Sequence, residues 1–256
     1  MVMPPGYDLE LEHLIAKAIW HGTPDRAYKT GGYVHPQPLT VMACAQCRLD
    51  LLEKLIQAGA QNSLPQALGY AVWCNADDCV HLLLSSGVKP KGEDILAALR
   101  HGRWDLVFLL LEYNAELLHT TFPSEREATL LHLAMLPPDL AAARQLLGLG
   151  MEVGARNKNG ATPLHCLVEM NPMPSPERLP VLELLLSHEA DPNATDNFGM
   201  TALMWVASRG DRHAIKLLLD AGADCALVNK DGSRAWQYAE RKYPELVSLL
   251  LPQPVA

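Results

Sequence analysis

The chain has 256 residues, 49% of them apolar, and a formal net charge of −8. That apolar content is enough to bury a core, which excludes a disordered tail. The acidic balance disfavours nucleic acid as the main partner, because phosphate binding draws on clustered Lys and Arg. Apolar runs such as 106–111 and 246–251 are far shorter than a membrane span. Six cysteines, at 44, 47, 74, 79, 166 and 225, are too scattered for a disulfide framework, and residues 1–6 carry no basic residue of the kind that opens a signal peptide. A reducing, cytoplasmic setting is expected.

In chain order, the apolar periodicity predicts a series of short paired helices. The first helix of each pair falls near 9–21, 38–46, 65–74, 93–101, 129–136, 162–170, 201–209 and 234–242. The second helices close on a recurrent word, two large aliphatic residues followed three positions later by Gly or Asn. It is seen at Leu55-Ile56 with Gly59, Leu83-Leu84 with Gly87, Leu110-Leu111 with Asn114, Leu146-Leu147 with Gly150 and Leu218-Leu219 with Gly222. Gly, or Asn in its place at 114, is read as the left-handed residue that ends a helix. These closures are spaced by 28 residues from Gly59 to Gly87 and by 27 from Gly87 to Asn114, but by 36 from Asn114 to Gly150. The early pairs therefore have no room for a full hairpin, whereas a longer connection at 117–127 introduces hairpins in the carboxyl half.

A second word shares the same period. Thr129-Leu130-Leu131-His132 precedes Thr162-Pro163-Leu164-His165 by 33 residues, and Gly199 precedes Gly232 by 33. Gly160 and Gly199 are 39 apart, and the six extra residues are assigned to the proline-rich stretch Asn171-Pro172-Met173-Pro174-Ser175-Pro176, an exposed loop. A Thr before Pro suits a helix start, where the missing N–H has no helical partner in any case. Helices this short cannot bury their apolar faces alone, so neighbouring pairs must stack.

These words resemble the ankyrin-repeat family, strongly from Thr129 to Ala239 and in phase but degenerate upstream. The resemblance implies an all-α solenoid of stacked helix-turn-helix repeats with short β-hairpin connections in the carboxyl half. It is read as one domain spanning 1–256: a cap at 8–36, repeats at 37–62, 63–91, 92–123, 124–156, 157–195 and 196–228, and a closing cap at 229–256. It also implies that His132 and His165 support the hairpins by hydrogen bonding rather than catalyse.

No catalytic constellation emerges. Cys44 and Cys47 have the spacing of half a zinc or redox site, but no second half follows, and no phosphate-binding glycine loop is present. The expectation is a non-enzyme without metal, cofactor or small-molecule substrate.

In the family, the binding surface is formed by the ends of the first helices and the hairpin tips. Here the helix ends supply Trp20, Trp73, Arg100, His101, Glu169, Met170, Arg209 and Arg241, and the tips supply Arg126, Lys158, Phe198 and Met200. Trp205 lies in a first helix at the groove edge, and Trp236 is read as core. Trp and Arg at positions that the repeat leaves variable are frequent interface anchors, so Trp20, Trp73 and Arg100 lead the set. Lys158, Lys230, Arg209, Arg241 and Lys242 make the last part locally basic, which suits an acidic partner surface.

The expected function is a scaffold that holds a partner protein on a concave groove, as adaptor or as inhibitor. Its binding site would begin on the irregular amino-terminal half. Two alternatives are a substrate for hairpin-asparagine hydroxylation, with Asn193 at the matching position, and an enzyme with an unrecognised site.

Overall fold

The computed structural model describes residues 7–28, 37–169 and 178–251. Its contacts divide it into two compact units, Met1–Leu117 and Leu118–Ala256. Each is a stack of helix pairs.

The amino-terminal unit comprises α1 (Tyr7–Trp20), a two-residue ladder of β1 (Ala27–Tyr28) with β2 (Gln37–Pro38), α2 (Leu39–Ala45), α3 (Leu49–Gln57), α4 (Leu64–Trp73), α5 (Asp77–Ser85), α6 (Gly92–Arg100) and α7 (Trp104–Tyr113). The first helices α2, α4 and α6 pack in succession, and α3 packs on α5. In α2, residues 39–44 are all fully buried, as a helix covered on every side requires. The second helices are amphipathic; α3 buries Leu51, Leu52 and Leu55 and turns Asp50, Glu53 and Lys54 to solvent.

Connections between pairs are only six residues here, 58–63 and 86–91, so other groups close the exposed helix starts. Asp25 accepts hydrogen bonds from the N–H groups of Gln61, Asn62 and Ser63 (3.3, 3.3 and 3.0 Å) and from the Ser63 hydroxyl. Asp94 accepts from Lys91 N–H at 2.8 Å and caps α6. Asn114 departs from the expected left-handed closure. Its φ is −149°, and its amide instead donates to Pro90 O at 2.9 Å, tying the end of α7 to the preceding connection.

The carboxy-terminal unit opens with two 3-10 turns, Ala115–His119 overlapping its boundary and Pro123–Glu125. It continues with α8 (Leu130–Leu133), α9 (Leu140–Gly148), α10 (Pro163–Glu169), α11 (Arg178–Ser187), α12 (Ala202–Arg209), α13 (Arg212–Asp220), α14 (Ala235–Glu240) and α15 (Val247–Leu250). First helices α8, α10, α12 and α14 pack in order, and α9, α11 and α13 form the second layer. The loop predicted at 171–176 lies outside the described residues.

Fourteen residues, 149–162, connect α9 to α10, and 188–201 connect α11 to α12. They fold into fingers at the places expected for hairpins, held by turns and isolated bridges rather than by ladder strands. The fingers share one internal pattern. The side-chain oxygen of Asn157 takes the N–H groups of Asn159 and Ala161, Asp196 those of Phe198 and Met200, and Asn229 those of Asp231 and Ser233, all at 2.8–3.1 Å. Successive fingers then bond to one another, Lys158 N–H to Arg126 O (2.8 Å), Asn197 N–H to Asn159 O (2.9 Å) and Lys230 N–H to Phe198 O (3.1 Å).

His132 and His165 join the fingers to the helices. Each Nδ1 accepts from the N–H of the threonine three residues earlier, and each Nε2 reaches the next finger's carbonyl at 3.0 Å, Ala161 O and Met200 O respectively. A carbonyl cannot donate, so Nε2 carries the proton and both rings are neutral. Burial, the largest cause in each case, pushes both imidazoles below their ordinary pKa of 6.5. The unfolded chain therefore binds these protons more readily, and stability present above about pH 6.5 is lost progressively as the pH falls below it. In urea titrations at pH 7.5 and 5.5, the wild-type midpoint should fall on acidification. The His132→Gln/His165→Gln variant should be about 2–4 kcal/mol less stable at pH 7.5 through loss of the two Nε2–carbonyl hydrogen bonds, but less sensitive to the change.

The first finger departs from the pattern in its backbone. Glu127 stands where later fingers have Gly160, Gly199 and Gly232, and both Arg126 (φ 58°) and Glu127 (φ 59°) are left-handed. At Gly199 the left-handed backbone is also crowded, since an added Cβ would lie 2.9 Å from Lys230 N. A side chain in this region costs about 1–2 kcal/mol. Glu127→Gly should therefore raise thermal stability by about 0.5–1 kcal/mol after the entropic cost of glycine, while Gly199→Ala should lower it by about 1–3 kcal/mol. Equal effects at the two sites would contradict this account.

Candidate functional site

In the amino-terminal unit, α4 and α6 end side by side and bring three of the expected residues together. The Arg100 guanidinium lies over the Trp73 ring, 5.9 Å from its centroid, and the His101 ring meets Trp73 edge-on at 5.3 Å and 75°. Trp73 keeps 49% of its surface exposed, and Arg100 and His101 are exposed. Guanidinium on indole is the most favourable cation–π pairing, worth about 0.5–1 kcal/mol at an exposed site.

Trp73 is also on the wall of a groove of about 760 Å³ between α4 and α6, with Gln66, Gly69, Tyr70, Lys91, Glu93, Asp94 and Ala97. The sequence reading missed Gln66, Tyr70 and Lys91. A signal was available, because Gln66, Gly69, Tyr70 and Trp73 stand at i, i+3, i+4 and i+7, one face of a helix.

Trp20, at the end of α1, is 86% exposed, so it is not packed against a neighbouring pair. The cysteine pair is divided between core and surface. Cys44 is buried and hydrogen-bonded to Cys79, contact with which, followed by burial, pushes its thiol up; Cys47 is exposed, and both are free. Among the described residues, no group of three or more His, Cys, Asp and Glu could hold a metal.

The carboxy-terminal unit places Arg126 and Glu169 on a smaller depression of about 240 Å³, together with Asn157, Asn159 and Cys166. Burial lifts the Glu169 carboxyl above its ordinary value, and Asp196 adds to this against Arg126 and Arg209. Arg209 hydrogen-bonds the Glu169 carbonyl, so it also secures the end of α10. Phe198 is 66% exposed at a finger tip, and Lys158 and Arg241 are exposed.

Met200 corrects the sequence reading. It is 6% exposed rather than displayed at the tip, because its carbonyl receives His165 and its thioether meets the Asn229 amide at 3.6 Å. Trp205 is half-buried, with its indole N–H enclosed and lacking a hydrogen-bond acceptor, and Trp236, read as core, is half-buried too. Met170 lies outside the described residues. Asn193 donates to Gly222 O (3.0 Å) and accepts from Asp224 N–H (2.7 Å), so its amide is committed to the next turn.

The comparisons with known proteins agree with this architecture. The chain is 36% identical over 111 residues to human Ankyrin repeat and SOCS box protein 6, covering 41% of this chain and 25% of that protein. It is 26% identical over 216 residues to the Danio rerio Putative palmitoyltransferase ZDHHC13, covering 79% of this chain and 32% of that protein. It thus spans a third or less of the length of these relatives. The crystal structure of the ankyrin repeat domain of Bcl-3, a member of the IkappaB protein family, superposes with a TM-score of 0.65 at 26% identity, covering 82% of this chain and 96% of that one. The family model "Ankyrin repeats (3 copies)" matches residues 95–196 and 173–255. The chain belongs to the ankyrin-repeat family, and its repeats form a solenoid of stacked helix pairs that serves as a protein-interaction scaffold.

Proposed function

We propose that the chain binds a partner protein in the groove between α4 and α6, anchored on Trp73, Arg100 and His101, and acts as an adaptor for that partner or as its inhibitor. The observation that carries this reading is the Trp73 cluster. Trp73 meets a cation on its face and a ring at its edge across the α4–α6 contact, and half of its surface is still left to solvent. Its side chain is thereby fixed in one orientation before any partner arrives, which lowers the ordering cost of binding. A groove lined by aromatic, amide and small residues beside such an anchor has the make-up of an interface centre.

Trp20, Arg126, Lys158, Glu169, Phe198, Trp205, Arg209 and Arg241 are proposed as further contact positions within their own units. No described helix is long and apolar enough to cross a membrane, and we place the interaction in the cytoplasm. The architecture offers recognition rather than a reaction.

The test is capture of partners by the native protein and by the Trp73→Ala/Arg100→Ala variant, followed by affinity measurement with the purified partner. The variant should lose at least about 2 kcal/mol of binding with an unchanged far-ultraviolet circular dichroism spectrum, since both side chains are exposed. An unchanged affinity would remove the groove from the interface.

A further inference from the structure

We infer that Cys44, Cys47 and Cys79 form a thiol–disulfide exchange site, in which a low-molecular-weight disulfide first joins Cys44 to exposed Cys47 and the bond then passes inward to Cys79. Cys44-Ala45-Gln46-Cys47 closes α2 in a tight turn. Cys47 N–H donates to Cys44 O at 3.0 Å, and Cys47 is left-handed with φ 53°. The Cα atoms that bound such a turn lie within about 7 Å of each other, and a disulfide spans about 4.4–6.8 Å between Cα atoms. The two cysteines can therefore be bridged with little movement of the chain.

The two partners of Cys44 differ in access and in chemistry. Cys47 is exposed, whereas Cys44 and Cys79 keep 0% and 1% of their surface. The Cys44 thiol hydrogen-bonds the Cys79 sulfur, a contact that favours the Cys79 thiolate against burial and the nearby Asp78. Cys79 is also the third residue of α5, in a first turn where the helix dipole favours a thiolate. The Gln46 amide lies between the two cysteines of the turn, enclosed, with neither its nitrogen nor its oxygen hydrogen-bonded among the described residues. Opening the turn returns this amide to water, so it costs less than opening a fully bonded turn and admits a reagent toward Cys44.

The exchange balances in three steps. The Cys47 thiolate attacks one sulfur of the small disulfide, forming a mixed disulfide and releasing one small thiolate. Cys44 then attacks the Cys47 sulfur, its proton leaving with the second small thiol. The Cys79 thiolate, already against Cys44, attacks the Cys44 sulfur and Cys47 departs as thiolate. Two protein thiols are oxidised and one small disulfide is reduced to two thiols. The final bond joins α2 to α5, and so ties two successive helix pairs together.

The experiment uses the full chain, reduced, freed of reductant and incubated with oxidised glutathione. Samples taken over time are quenched in acid, alkylated with N-ethylmaleimide and mapped by peptide mass spectrometry. The Cys44–Cys47 bond should appear first and decline as Cys44–Cys79 accumulates. The intact mass should fall by two hydrogens before alkylation, with Cys74, Cys166 and Cys225 all alkylated. Cys79→Ser should stop the reaction at Cys44–Cys47, Cys47→Ser should slow formation of Cys44–Cys79 by at least about tenfold, and Cys74→Ser should change neither. The order of bonds is read in the unaltered chain, so it holds even where a core substitution unfolds the protein.

Glutathione bound alike at Cys47 and Cys74 with no bond at Cys44 overturns the site, as does a bond between Cys47 and Cys74. Lasting Cys44–Cys47 with Cys79 alkylated overturns the inward transfer, and Cys44–Cys79 formed with no Cys44–Cys47 before it overturns the order.

Discussion

The carboxy-terminal unit depends on one repeated contact, the bond from a buried neutral histidine to the carbonyl of the next finger. It works in two directions at once, because Nδ1 secures the start of the histidine's own helix while Nε2 fixes the following repeat. A helix of four to seven residues has too few internal hydrogen bonds to persist alone. Here its first turn is anchored from outside. The two rings tie α8 and α10 to the fingers that follow them, whereas the last finger-to-finger bond, Lys230 N–H to Phe198 O, forms without a histidine.

The amino-terminal unit reaches order by other means, and this difference opens the groove. With six-residue connections there are no fingers to stand beside the first helices. Asp25, Asp94 and Asn114 close the helix ends instead. The flanks of α4 and α6 are left uncovered, and the residues displayed there are the ones that the repeat does not need for stacking. Surplus side chains on a rigid support are a common route to a binding site.

Most of the architecture could be read from the sequence because the same words mark the same structural jobs each time they recur. The Thr-x-x-His word located first helices to within a few residues, and the closing glycines located the turns. Asn114 shows why such reading has a limit. Its side chain found a better partner in Pro90 O than left-handed backbone would have given it, and a partner 24 residues away leaves no trace in local pattern. Met200 shows the same from the other side, since flanking a glycine turn says nothing about which way a residue faces. Trp73, Arg100 and His101 were legible as helix-end residues. That they meet is a property of how α4 packs on α6, and the contribution of Lys91 needed the groove itself.

Asn193 carries a consequence for any chemistry directed at it. Its amide gives one N–H to Gly222 O and its oxygen to Asp224 N–H, so a modifying enzyme that needs this side chain turned out of the finger must wait for the finger to come away from its neighbour. The rate would then follow the local opening equilibrium of the finger rather than the surface area that the residue displays. Stiffening the bonds between fingers would protect Asn193 without altering a single atom near it, which makes the solidity of the stack a control on access.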